Sequence, residues 1–70
     1  MLADFATATA SFAAMGARPF VARISRDWGH ELLGLGRRDE GRAKLTEARD
    51  LMAQLGIKRE ADELTAELNA

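Results

Sequence analysis

The chain has no cysteine, one proline and one histidine in 70 residues. Without cysteine it can have neither a disulfide nor a thiolate zinc site to stiffen a short fold, so its stability must come from helix or sheet packing. Neither charge is in excess: ten basic and eleven acidic residues leave a net charge of −1, which argues against a general polyanion binder. Apolar runs are short. None approaches the ~20 residues needed to cross a bilayer, and the N-terminus lacks the basic-then-apolar order of a secretory leader. The cytoplasm is therefore the expected location. A chain of this size is a single domain, residues 1–70, that buries only about 60% of its unfolded surface. Such a core is too small for a large catalytic domain, and no enzyme activity is expected.

The glycines, by contrast, are ordered. Gly16, Gly36 and Gly56 stand twenty residues apart, and each closes a stretch of helix-period apolar residues, where a left-handed cap favours glycine. No stretch alternates with period two, so the chain reads as all-α. Four helices are expected, at about 2–15, 19–35, 39–55 and 57–69. Their stripes run Leu2, Phe5, Ala8, Phe12, Met15; then Val21, Ile24, Trp28, Leu32, Leu35; then Gly41, Leu45, Ala48, Met52, Leu55; and finally Ile57, Ala61, Leu64, Leu68. Pro19 suits a first helical turn, where its missing N–H costs nothing. Asp39 and Glu40 suit the positive end of the third helix.

A shift of forty residues superposes the chain on itself. Phe5, Ala8, Phe12 and Met15 fall on Leu45, Ala48, Met52 and Leu55. Past the shared glycine, Arg18, Val21, Ile24 and Trp28 fall on Lys58, Ala61, Leu64 and Leu68. Apolar positions match across two segments and the turn between them, which points to a repeated helical hairpin.

The run Trp28-Gly29-x-x-Leu32, Gly36, then Gly41-x-x-x-Leu45-x-x-Ala48 resembles a tetratricopeptide repeat. Ser25 stands at its first aromatic position, Trp28 at its leucine and Leu32 at its tyrosine, while Ala53 replaces its final proline. The resemblance covers about Ala22 to Leu55, in a repeat longer than the usual one. It implies four antiparallel helices forming stacked tetratricopeptide-like α-hairpins, a right-handed solenoid fragment. Trp28, Gly29, Leu32, Gly41, Leu45 and Ala48 would be its repeat core. In such hairpins the first helix lines a concave groove that holds a partner peptide, which places Arg23, Arg26, His30, Leu33 and Gly34 at the groove. The phrases Met15-Gly16-Ala17-Arg18-Pro19-Phe20 and Leu55-Gly56-Ile57 are similar to the C-terminal repeats of large bacterial multidomain ATPase regulators. Some of those end in LuxR-type DNA-binding domains or are attached to nucleotide cyclases. A non-catalytic protein-interaction module of a signalling or transcription regulator is the function this implies.

The residues carry part of that reading by themselves. Arg23, Arg26 and His30 recur at three and four, so they share one helix face. Two guanidiniums and an imidazole there suit a carboxylate or an acidic peptide. The same spacing also fits a solvated face on which Arg23 pairs with Asp27. Asp27, His30 and Glu31 lie within about one turn, but a stable metal site draws ligands from several elements, so neither metal nor cofactor is expected. Trp28, Met15 and Met52 are expected in the core.

The alternative function is a helix-turn-helix-like DNA-binding regulator fragment, suggested by the turn Leu55-Gly56-Ile57-Lys58. Glu60, Asp62, Glu63 and Glu67 on the following helix would repel phosphates, and no nucleic-acid or membrane partner is expected. Residues 50–70 carry a net −3 and residues 18–49 a net +3, so the acidic end of one copy could meet the basic middle of another. A stack of fewer than two repeats also leaves apolar surface uncovered, which calls for self-association or stacking on further repeats.

Overall fold

Three turns of one geometry set the layout. Gly16, Gly36 and Gly56 all hold left-handed backbone, at φ of 74°, 79° and 78°. Beside each glycine the following amide donates back five residues, Ala17 to Phe12, Arg37 to Leu32 and Ile57 to Met52, each at 2.9 Å. Each glycine amide in turn donates three residues back. This is a Schellman closure, and it satisfies the carbonyls that a helix end otherwise leaves bare. Ala17, Arg37 and Ile57 also begin the next helix without any side-chain cap. One residue thus closes one helix and opens the next, so twenty residues make one helix and one turn.

The computed structural model describes residues 2–70, with side chains from Phe5 onward. Met1, and Leu2 at the head of the first expected stripe, lie outside the described side chains. The fold is all-α, in four helices: α1 (Leu2–Ala14), α2 (Arg18–Gly34), α3 (Arg38–Gln54) and α4 (Lys58–Asn69). Against the sequence-based bounds, the first three helices end one residue earlier, because Met15, Leu35 and Leu55 already belong to the turn. Helices α2 and α3 start one residue earlier, while α4 starts one later because Ile57 is non-helical.

The helix backbones approach one another in sequence order, α1 on α2, α2 on α3 and α3 on α4. The result is a slab with Cα extents of 33 × 28 × 13 Å. Its core joins Ala22 of α2, Leu45, Ala48 and Met52 of α3, and Ala61, Leu64 and Leu68 of α4. Leu33, Leu51 and Ile57 pack against its edge. The tightest seam is α2 on α3, where Gly29 and Gly41 face each other. A Cβ built on either glycine would sit 2.9 Å from the carbonyl oxygen of the other.

On α2 the buried face differs from the expected stripe. Its buried residues are Ala22, Ser25, Gly29 and Leu32, whereas Val21, Ile24 and Trp28 are half-buried and Leu35 is 56% exposed. Large side chains define the stripe a reader sees, but small ones let two helix backbones approach. Trp28 lies instead between helices: its ring stacks on Phe5 of α1 at 6.1 Å, and Lys44 Nζ of α3 sits 4.0 Å from the ring centroid. Met15 was expected in the core and is 68% exposed, because α1 has a neighbour on one side only. Met52 is fully buried.

The turn geometry makes a direct prediction. At Gly36 an added Cβ meets nothing within 4 Å, so Gly36→Ala tests backbone strain alone. Holding an L-residue in left-handed backbone costs roughly 1–2 kcal/mol, and the urea midpoint should fall accordingly with no change in helix content at rest.

Candidate groove between α2 and α4

Helices α2 and α4 meet through side chains and not through their backbones. No Cα of one comes within 8 Å of a Cα of the other, and α3 lies behind both. The gap between them is a groove crossed only by long side chains. Arg26 Nη1 donates to Glu60 Oε1 at 3.2 Å, and Arg23 Nη2 lies 4.0 Å from Glu60 Oε2. Further along, His30 Nε2 lies 2.8 Å from Glu67 Oε2 and 3.1 Å from its Oε1. The Arg26 and Glu60 side chains are 29% and 27% exposed, so water screens the pair incompletely but still reaches it.

The three basic groove positions read from the sequence, Arg23, Arg26 and His30, therefore all face α4. Their partners are not those that local spacing offered. Asp27 is met by Arg26 Nε at 3.5 Å, not by Arg23, and the acidic α4 meets the basic α2 within one chain. Among the described residues no group of three His, Cys, Asp or Glu side chains is placed to hold a metal.

Past His30 the groove opens into a cleft of about 400 Å³ lined by Leu33, Gly36, Arg38, Arg42, Leu45, Glu67, Leu68 and Ala70. Leu33, the fourth groove position, forms part of its wall together with Leu45 and Leu68. Arg42 is anchored at its rim, with Nη2 donating to the Leu68 carbonyl at 2.7 Å, the bond that a helix C-terminus leaves open for a cation. Arg38 stands exposed beside it. Gly34 is exposed, and an added Cβ there would meet nothing within 4 Å.

Most repeat-core positions lie behind the groove, and Leu45 reaches its cleft. Gly29, Leu32, Gly41, Leu45 and Ala48 are buried along the α2–α3 seam and the core behind it, and Trp28 is half-buried at the α1 side. These residues hold α2 against α3 and so set the position of the groove wall.

Sequence reading did not find Glu60, Glu67, Arg38 and Arg42 as part of this site. For Glu60 and Glu67 the one signal was the spacing to a hydrogen-bonding partner on α2: Arg26 and Glu60 are 34 apart, His30 and Glu67 are 37 apart. A charge pair carried at nearly constant separation between alternate helices marks two helices running side by side. No known protein family, curated protein or solved structure matches this chain.

Proposed function

We propose that the chain is a non-catalytic protein-interaction module of the stacked-hairpin, tetratricopeptide-like kind, which holds an acidic peptide segment in the α2–α4 groove. The observation that carries this reading is the groove itself: two helices held apart on a common backing helix, with Arg23, Arg26 and His30 along one wall. A gap bridged by partly solvated ion pairs is easily exchanged. The His30–Glu67 contact is exposed and the Arg26–Glu60 pair still reaches water; exposed pairs are worth about 0–1 kcal/mol, so an incoming carboxylate replaces Glu67 most readily. The cleft adjoining His30 supplies what the charges lack, an apolar lining of Leu33, Leu45 and Leu68 that Arg38 and Arg42 share. The segment that fits has a leucine-sized side chain for the cleft and acidic residues for the arginines.

Stacking on further repeats or on a second copy belongs to the same reading, as does a place within a larger bacterial regulator. The test uses a fluorescent probe peptide with one leucine flanked by glutamates. The expected result is saturable binding that Arg23→Glu with Arg26→Glu weakens by about tenfold or more, since two contacts of up to about 1 kcal/mol each are lost and two carboxylates now repel the acidic probe. Circular dichroism should show the variant still helical. Equal binding by both proteins would remove the groove assignment.

A further inference from the structure

We infer that α1 is the contact surface of a symmetric dimer, seated on α1 of a second copy. From Phe5 to Ala17 the chain carries thirteen consecutive uncharged residues. The repeat register shows how unusual that is for this fold. Glu47, Asp50 and Gln54 keep the outer strip of α3 polar, and their counterparts forty residues earlier on α1 are Thr7, Ala10 and Ala14. All three of those α1 residues are exposed. A helix without a charged face belongs in an interior, yet α1 has protein on one side only.

The inner strip is incomplete in the same way. Leu45, Ala48 and Met52 of α3 lie between two helices and are 1%, 0% and 0% exposed. Their counterparts Phe5, Ala8 and Phe12 are only half-buried. Met15 and Phe20, at 68% and 51% exposure, extend the apolar surface past the end of α1, with Phe20 stacked on Phe12 at 5.3 Å.

The opposite end of the stack does not offer a seat for this surface. The residues by which α2 grips α3 are Ala22, Ser25 and Gly29, and their counterparts on α4 are Asp62, Thr65 and Asn69. Docking α1 there would bury a carboxylate and an amide without partners, which costs more than the apolar contact returns. Head-to-tail growth is thereby blocked. Among the described residues, the uncharged surface that matches Phe5–Ala14 of α1 is that same stretch in a second copy, and a helix paired with its own copy makes a closed two-fold contact. Small residues at Ala6, Ala10 and Ala14 permit close approach. A helix of thirteen residues is about 20 Å long, so the contact is a short one, whose strength a dilution series reads.

This inference rests on the self-association part of the function proposed above and is independent of the groove. Sedimentation equilibrium of the full chain, from low micromolar to near-millimolar concentration, tests it. The expected result is a monomer–dimer equilibrium with no larger species. Ala10→Glu introduces a charge at an exposed site compatible with a helix and should raise the dimer Kd by about tenfold or more at unchanged helix content. Glu63→Lys, on the outer face of α4, should leave the Kd as it was. A monomer at every concentration, open-ended oligomers, or a dimer indifferent to Ala10→Glu would each overturn the proposal. Arg23→Glu with Arg26→Glu should leave the dimer intact, so a failed dimer and a failed groove are separate results.

Discussion

Gly29→Ala destabilises the chain, whereas Gly34→Ala, five residues along the same helix, stabilises it. Both changes gain helix propensity, about 1 kcal/mol at Gly29 in the helix interior and less at Gly34, the last residue of α2. At Gly34 the new methyl meets nothing within 4 Å, so that gain stands unopposed. At Gly29 the methyl would lie 2.7 Å from Leu45 Cδ2 and 2.9 Å from the Gly41 carbonyl oxygen. Leu45 is itself 1% exposed and has little room to turn away, and a backbone oxygen cannot turn at all. The helices must separate along their closest seam. Overpacking of this kind costs roughly 1–3 kcal/mol, and contact with a backbone atom puts Gly29 toward the upper end. A net loss of about 1–2 kcal/mol is expected, read as a lower urea midpoint. For a domain this small the whole stability is only about 5 kcal/mol, so that loss is a large share of it.

Leu45→Ala should come closest to unfolding the chain. Leu45 sits at the centre of the α2–α3–α4 core, touches the Gly29 seam and forms part of the cleft. Truncating a fully buried leucine costs about 2–5 kcal/mol, depending on how far the cavity collapses. Three helices meet at this point and have only short turns with which to adjust, so little collapse is expected. Met15→Ala provides the comparison. Met15 is 68% exposed, and its loss should change stability by less than about 0.5 kcal/mol. Thermal melts followed by circular dichroism distinguish the two. Near-equal effects would mean that the core is not where these packing distances put it.

The layout of the fold was legible because turn chemistry is local. A left-handed residue needs glycine, three glycines recur at one spacing, and helix-period stripes lie between them. On α3 and α4 the stripe also named the buried residues, Gly41, Leu45, Ala48 and Met52, then Ala61, Leu64 and Leu68. On α2 it did not, because this helix has a neighbour on each side. Its Trp28 stacks on Phe5 of α1, while the small residues Ala22, Ser25 and Gly29 are the ones buried against the rest of the fold. A moment drawn from large side chains cannot resolve two contact faces.

The groove divides in the same way. Spacing alone placed Arg23, Arg26 and His30 on one face, since three-and-four recurrence is a property of a single helix. What stands across from them depends on how far α4 lies from α2, and no local rule contains that distance. In the sequence Glu60 and Glu67 therefore read as carboxylates that would repel phosphates, whereas in the fold they face Arg26 and His30. The cleft was beyond reach for a related reason: Leu33, Arg42 and Leu68 come from three helices and converge only after packing.

The groove itself is tested most directly by amide chemical-shift mapping of the labelled chain, titrated with the leucine–glutamate probe peptide. The account predicts saturable shifts at Arg23, Arg26, His30 and Leu33 on α2, and at Glu60 and Glu67 across the gap, as the internal pairs exchange for the ligand. Shifts confined to α1 or to the outer face of α4, or no shifts at concentrations where the probe is in large excess, would contradict it.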